Sequence, residues 1–313
     1  MSFTDLLTIA MPCYERKEFF LEALESALNQ TIKCKVIVVD NCSSHNYYEK
    51  VCEEKGVTYY RNQTNIGLYP NINRCFELSE TEYVKILDDD DILSPLYVES
   101  FLKAKNSHPD IDIFFSDFAL VSSKGKTEHR HVLPFGYMEK GHRIIEYGIR
   151  YRLGFPFMAS TLKKYIYQKK LGEKDLIGSH DWEWIYSTAD QFSFYGDPQK
   201  LYNYRIHDNQ NTKTEKSLLE LSVPYIYDKI LFKKTTNPEL KKKASKNALN
   251  ALIVFKTGIK RNQLLKILKD NNKYSKYLRI KMNESIMVRF ILLLPRNTVK
   301  ILNKVYKKIS LSN

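Results

Sequence analysis

The feature that most constrains this chain is a recurrence. Short apolar runs at residues 6–11, 35–40, 57–60, 83–87 and 111–115 each read as a buried strand, and helical patterns separate most of them. The stretch 16–30, for example, places Phe20, Leu24, Ala27 and Leu28 on one helical face. Strands alternating with helices predict an α/β fold, a parallel sheet covered by helices on both faces, with the active edge at the strands' carboxyl ends. Two acidic features fall at such ends: Asp40 closes "KVIVVD", and Asp88, Asp89, Asp90 and Asp91 follow "YVKIL".

Adjacent carboxylates repel one another and resist desolvation, so this run needs solvent or a cation. A solvated acidic turn is one reading, since charge runs usually face water. The other is a hard-cation site, because oxygen ligands suit Mg²⁺ or Mn²⁺. A calcium loop of the EF-hand type fails on the letters. Counted from Asp88, Ile92 and Leu93 stand where it requires an acid and a glycine.

Beyond residue 115 the pattern loosens. A hairpin is expected around "SSKGKTEH" (122–129) and a helix at 141–150, while the mixed segment "FPFMASTL" (155–162) leaves its topology open. "GSHDWEWIYSTAD" (178–190) reads as a helix with Asp181 and Glu183 in its first turn, where the dipole favours negative charge. A strand "KLYNYRIH" (200–207) follows. Its alternation puts Tyr202, Tyr204 and Ile206 on one face and Asn203, Arg205 and His207 on the other. From residue 216 the pattern is helical alone.

At 313 residues and 43% apolar, the chain can bury one large core or two smaller ones. Its charge is divided: residues 1–212 carry a net −5 and residues 213–313 a net +18. Such asymmetry points to an anionic partner, either nucleic acid or a lipid surface. The five cysteines (Cys13, Cys34, Cys42, Cys52, Cys75) form no C-x-x-C pair, and no charged-then-apolar leader opens the chain. We therefore expect a reduced, cytoplasmic protein without zinc.

Several segments together carry a resemblance. "TIAMPCYERKEFFLEALESALNQT" (8–31), "VIVVDNCSS" (36–44) and "ILDDDDIL" (86–93) resemble glycosyltransferase family 2, with its "IPTYNR"-like first strand, "VVDDGSxD" second strand and "LDxDD" acidic motif. "NQTNIGLYPNINRC" (62–75) is similar to the family's "N-x-G…R-N" helix start. "HDWEW" (180–184) is similar to its acceptor-side acidic motif, and "YRIHDNQNT" (204–212) to its "YRxHxxN-S/T" ending. Order and spacing fit from residue 8 to residue 212.

The resemblance implies a GT-A fold over 1–212, with a nucleotide-sugar part at about 1–115 and an acceptor part at about 116–212, followed by a basic helical region at 213–313. It implies inverting transfer from a nucleotide-sugar, expected to be a UDP-sugar, to a glycan or lipid-linked acceptor, with Mn²⁺ or Mg²⁺ as cofactor. On that pattern Asp90 is the direct metal ligand and His207 can reach the metal or diphosphate. Asp88 lies nearer the ribose or metal-bound water, and Asp89 is an alternative ligand. Pro12, Tyr14, Arg16, Asn65 and Gly67 match the nucleotide side. Asp40 would accept the uracil N3–H, Arg205 would neutralise phosphate, and Asp181 matches the general base.

The chemistry is consistent with these roles. A departing diphosphate is stabilised by a divalent cation without a proton, and a carboxylate can accept from a base edge where an aliphatic residue cannot. Plainer readings stand beside them. Asp40 can be a turn residue, Asp181 a helix cap and His207 a structural histidine, while Trp182 and Trp184 can be core rather than sugar-stacking. Three letters depart from the pattern: Asn41 replaces a second acid, Cys42 a glycine, and His180 an acid.

In the tail, Lys241, Lys242, Lys243 and Lys246 crowd a helix start. The apolar run within 284–313 is interrupted by Arg289 and Pro295 and falls well short of the roughly twenty residues that span a bilayer. After Pro295, Val299, Leu302, Val305, Tyr306 and Ile309 share a helical face, with Lys300, Lys304, Lys307 and Lys308 largely elsewhere. That arrangement suits a helix lying in an anionic interface, on the inner face of the cell membrane, or one packed back on the catalytic domain. No nucleic acid is expected. Two rivals remain: a sugar-1-phosphate nucleotidyltransferase, which needs a glycine-rich loop that "MPCYERKE" lacks, and a basic nucleic-acid-binding or membrane-tethering protein whose acids are mere surface.

Overall fold

The computed structural model describes residues 5–122, 127–129, 133–151, 153–169, 180–208, 210 and 216–302. The chain divides into two compact units. One comprises Met1–Ile144, Gly154–Leu176 and Thr188–Asp208, and the other Ile145–Leu153, Ile177–Ser187 and Asn209–Asn313.

The first unit is built on β1 (Leu7–Cys13), β2 (Lys35–Asp40), β3 (Thr58–Arg61) and β4 (Tyr83–Ile86), which pair in parallel in the order β3-β2-β1-β4. β1 lies between two partners and is buried along its whole length, which is why its sequence is a continuous apolar run rather than an alternation. The helices α1 (Phe20–Leu28), α2 (Tyr47–Lys55) and α3 (Leu68–Leu78) connect these strands. α1 presents Phe20, Ala23, Leu24 and Ala27 to the sheet core. It begins later than the pattern from residue 16 predicts because Arg16 is held in a tight turn, its N–H donating to the Tyr14 carbonyl (2.7 Å) and its own carbonyl accepting from the Tyr48 hydroxyl (2.6 Å).

Past β4 the elements are β5 (Ile92–Leu93), α4 (Tyr97–Ser107), β6 (Ile113–Ser122), β7 (Thr127–His129), β8 (Gly136–Met138), α5 (His142–Arg150), β9 (Ser160–Lys163), α6 (His180–Thr188) and β10 (Phe194–Ile206). The sheet continues from β4 as β9-β6-β10-β5, with β7 on β6 and β8 on β10. It is therefore mixed, not all-parallel as predicted: β9 runs antiparallel to both β4 and β6. A strand buried on both faces reads the same in either direction, so the pattern at 155–162 held no information on its sense. β10 is longer than the predicted 200–207. Its first half escaped the alternation because the register shifts between Asp197 and Lys200, around Pro198.

The second unit is helical. α7 (Lys216–Tyr225) contains Pro224 and runs into a π-helical turn, Ile226–Leu231, consistent with the missing proline N–H. α8 (Pro238–Gly258) starts with Pro at its first position, and Asn237 accepts from the N–H groups of Glu239 (2.9 Å) and Leu240 (3.2 Å). α9 (Arg261–Lys269), α10 (Lys273–Glu284) and α11 (Ile286–Leu293) follow. Leu221, Leu252, Phe255, Leu264, Tyr274, Leu278, Val288 and Leu292 form the core of this unit.

After Pro295 the exposed helical face expected from the sequence is not kept, because Val299 is buried while Leu302 is exposed. Arg296 donates through Nε to the carbonyl of Thr257 at the end of α8 (2.6 Å), which draws this turn inward. Val305, Tyr306 and Ile309 lie outside the described residues. Among the described residues, no helix is long and apolar enough to cross a membrane.

Candidate active site

Within the first unit, β1, β2 and β4 end side by side: Cys13 pairs with Asp40, and the Leu87 N–H donates to the Ala10 carbonyl (3.0 Å) as the chain leaves β4. Two loops issue from these ends, and they differ in kind.

The acidic loop is not a solvated turn. Asp89, Asp90 and Asp91 are 6%, 8% and 1% exposed. Arg16 Nη1 donates to Asp89 Oδ1 (2.7 Å) and also to Asp90 Oδ2. His207 Nε2 lies 2.9 Å from the same Asp90 oxygen, although the two residues are 117 positions apart. Arg205 holds the loop from behind. Its Nε donates to the Asp90 carbonyl (2.7 Å), its backbone N–H to Asp91 Oδ1 (2.7 Å) and its Nη2 to Glu22 Oε2 (2.6 Å), while the guanidinium stacks over Phe19. Tyr202 donates its hydroxyl to Asp91 Oδ2 (2.6 Å). Asp88 is half-buried, and its carbonyl accepts from the Asp91 N–H (3.3 Å).

Beneath the loop Lys85 is fully buried and donates to the carbonyls of Ile86 (2.7 Å) and Met158, between the rings of Tyr202 and Tyr97. Burial pushes its ammonium down to about 7, against the pull of Asp88 and Asp91. Burial pushes the Asp89 carboxyl up to about 8, with Arg16 opposing and Asp90 and Asp88 reinforcing. Asp91 is raised as well, by burial first and by Asp90 and Asp88 after it. Burial is the largest cause of all three shifts: the loop holds its carboxylates and Lys85 where their charged forms are costly.

The loop after β2 is self-satisfied. Asp40 is buried, its Oδ1 accepting from the Ser43 N–H (3.0 Å) and hydroxyl (2.6 Å) and its Oδ2 from the Tyr59 hydroxyl (2.8 Å). Both oxygens of Asp40 are thus engaged, one by Ser43 of its own turn and one by Tyr59 of β3. Asn41 accepts from the Ile66 N–H (3.0 Å) and Asn62 Nδ2 (3.1 Å), and donates to Asn65 Oδ1 (2.8 Å) and the Gly67 carbonyl (3.2 Å). Gly67 takes φ 94° at the head of α3, a conformation that favours glycine. Cys42 takes φ 66°, so the left-handed geometry implied by the family's glycine is kept without the glycine. Glu15 binds the Ser44 N–H (2.6 Å) and hydroxyl (2.9 Å), tying this loop to the one after β1. Pro12 is buried in β1 opposite Val39, and Tyr14 stands exposed just past the strand.

Asp181 belongs to the second unit, in the first turn of α6, where burial pushes its carboxyl up to about 6. Glu183 is committed to Lys273 Nζ (2.7 Å) and the Tyr274 hydroxyl (2.7 Å), and Trp184 is buried, as its core reading holds. The side chain of His180 lies outside the described residues.

The predicted residues of the first unit thus fall into two groups. Arg16, Asp88, Asp89, Asp90, Arg205 and His207 gather at the acidic loop, and Asp40, Asn65 and Gly67 at the other. Sequence reasoning missed Lys85, Tyr202, Glu22 and the binding role of Asn41 within its loop. Lys85 left a signal, a lone cation inside a buried apolar run. Asn41 registered only as a departure from a motif.

Asp90 Oδ2 and His207 Nε2, a hydrogen-bonded pair in this structure, are the two groups that could supply a carboxylate and an imidazole to a divalent cation. The 2.9 Å between Asp90 Oδ2 and His207 Nε2 matches the roughly 3 Å between adjacent ligands of an octahedral ion with bonds of about 2.1 Å. Among the described residues, no group of three or more His, Cys, Asp and Glu is arranged to hold an ion by itself. Magnesium is usually held by one or two carboxylates with substrate phosphates supplying further oxygens.

This sheet, with an acidic loop at the β4 end, defines an α/β enzyme of the GT-A class. The family model for glycosyl transferase family 2 matches residues 8–165, just over half of the chain. The chain belongs to that family and is a glycosyltransferase. It is 29% identical over 214 residues to the uncharacterized glycosyltransferase MJ1057 of Methanocaldococcus jannaschii, spanning 66% of this chain and 72% of that one. It is 30% identical over 105 residues to the putative colanic acid biosynthesis glycosyl transferase WcaA of Escherichia coli, spanning 32% and 38% of the two chains. Among solved structures it is similar in fold to S. aureus TarS 1–349 in complex with UDP-GlcNAc. The TM-score is 0.59 at 14% identity, covering 97% of this chain and 92% of that chain.

Proposed function

We propose that the protein is an inverting, metal-dependent transferase that moves a sugar from a UDP-sugar to a glycan or lipid-linked acceptor, working as a peripheral protein on the inner face of the cell membrane. The observation that carries this reading is the meeting of Asp90 and His207 at 2.9 Å beside Arg16, at the carboxyl end of β4. Asp90 and His207 would hold Mn²⁺ or Mg²⁺, which supplies a positive charge to the diphosphate as it leaves. Arg16 brings a further positive charge to the same carboxylates. The loop after β2, with Asp40, Asn65 and Gly67, would hold the nucleoside side, with Pro12 and Tyr14 beside it. Asp181 would take the proton from the acceptor hydroxyl as that oxygen bonds to the anomeric carbon, and the bond to the diphosphate breaks with its electron pair going to the diphosphate. A single displacement inverts the configuration. The UDP-GlcNAc in complex with TarS and the colanic acid biosynthesis in the name of WcaA support the donor and acceptor classes.

The test is a thermal-shift and hydrolysis screen of UDP-, GDP- and dTDP-sugars with and without Mn²⁺. Stabilisation by a UDP-sugar that requires Mn²⁺ is expected. A melting temperature that no nucleotide moves would end the donor assignment.

A further inference from the structure

Near the end of the second unit, α11 is apolar on two sides. One side turns Val288 and Leu292 into the core, where they are 6% and 0% exposed. The other carries Ile286, Met287, Phe290 and Leu293 at 86%, 53%, 61% and 66% exposure. At 3.6 residues per turn, Phe290 stands opposite the line between Val288 and Leu292. A helix packed on its own unit needs a single apolar stripe. A second stripe of four large side chains is an exposed patch of the kind that marks an interaction surface.

We propose that this outer face of α11 docks on an anionic phospholipid bilayer, lying in the interface with Phe290 at the centre of the contact. The charge around it decides the occupant. Residues 285–302 contain Arg289, Arg296 and Lys300 and no acid, with Glu284 just before them. Arg289 flanks Phe290 and remains exposed while bonding the Met282 carbonyl (3.0 Å). Basic residues beside an apolar helical face suit an interface carrying negative headgroups. A second copy of the chain is the poorer occupant, because two-fold pairing sets the same basic residues against each other with only Glu284 beside the face to match them. Nucleic acid would meet apolar side chains where its phosphates need donors. The membrane-facing surface thus sits one helix earlier than the face the sequence suggested after Pro295. The inference deepens the reading of a membrane-associated acceptor and rests on it for purpose only.

The full chain is co-sedimented with vesicles of phosphatidylcholine, alone and mixed with phosphatidylglycerol, without donor or acceptor. Binding is expected to the mixed vesicles and to weaken as salt screens the charges. Ile286→Ser with Phe290→Ser should lower that binding about tenfold or more, and Arg289→Gln about fivefold. Ile286 and Phe290 are exposed, so the double variant should keep the parent's melting temperature and response to UDP-sugar, while Arg289→Gln, which gives up the bond to the Met282 carbonyl, should lose only a little stability. The salt dependence and the choice between vesicle types test the parent chain without any variant. Equal binding to both vesicle types, no binding by the parent, or unchanged binding of the double variant would overturn the proposal. So would a self-association that the double variant abolishes while the parent ignores vesicles, which would make the face a contact between copies. Lipid binding without a nucleotide response sinks the donor reading alone, and the reverse result sinks this one alone.

Discussion

The two loops at the head of the sheet solve opposite problems. The loop after β2 pairs its polar groups internally: Asp40 with Ser43 and Tyr59, and Asn41 with Asn62, Asn65, Ile66 and Gly67. The loop after β4 instead crowds charged groups into a buried place, where burial raises Asp89 and Asp91 and lowers Lys85. A satisfied loop is held by its own bonds; one that crowds buried carboxylates would be relieved by a cation. The difference separates residues that shape a site from residues that act in it, and it orders what mutation should do.

The largest effect belongs to a residue in neither loop. Asp181→Asn should reduce turnover by about a hundred- to ten-thousandfold while leaving the UDP-sugar thermal shift in place. A base must be deprotonated to work. With its carboxyl raised to about 6, log kcat should climb with unit slope below about pH 6 and level above it, and the variant should lose that limb. A slope that survives in Asp181→Asn assigns the titration to another group.

Next comes the acidic loop. Asp90→Asn should cut transfer about a hundred- to a thousandfold and remove the Mn²⁺ dependence of the thermal shift. If Mn²⁺ still stabilises the variant in the presence of UDP, the cation is held elsewhere. Lys85→Met tests the charge balance directly. Removing one partner from a buried charge cluster should lower stability by about 3 kcal/mol in denaturant unfolding. A variant as stable as the parent would show that Asp91 needs no counter-charge below it.

The same contrast explains what could be read from the letters. The parallel half of the sheet and the acidic loop's position were legible because buried strands are apolar runs and because four carboxylates break one such run. The direction of β9 was not, since a run buried on both faces has no polarity to read. His207 was expected near the metal by resemblance and Arg16 on the nucleotide side, whereas the partners Glu22 and Tyr202 come from a helix and a strand whose register no local pattern encodes. Asn41 and Cys42 were legible only as mismatches. Their roles depend on backbone angles and on donors that arrive from residues 62–67.

Those two mismatches give the smallest and most discriminating tests, because restoring the family-like letter should have opposite signs at neighbouring positions. Asn41→Asp keeps the two accepted bonds but loses both donated ones, setting a carboxylate against Asn65 Oδ1 and the Gly67 carbonyl. It should cost about 2 kcal/mol, the penalty for buried acceptors left facing each other. Cys42→Gly should instead stabilise by about 0.5–1 kcal/mol, because the left-handed conformation at φ 66° strains an L side chain by about 1–2 kcal/mol and glycine returns about 0.5–1 kcal/mol of that in unfolded-chain entropy. The Cys42 thiol's contact with the Gln63 carbonyl at 3.4 Å is too weak to reverse the balance. Urea unfolding of the two variants beside the parent measures both. If the two shifts share a sign, the loop is held by something other than the asparagine network, and its contrast with the acidic loop fails.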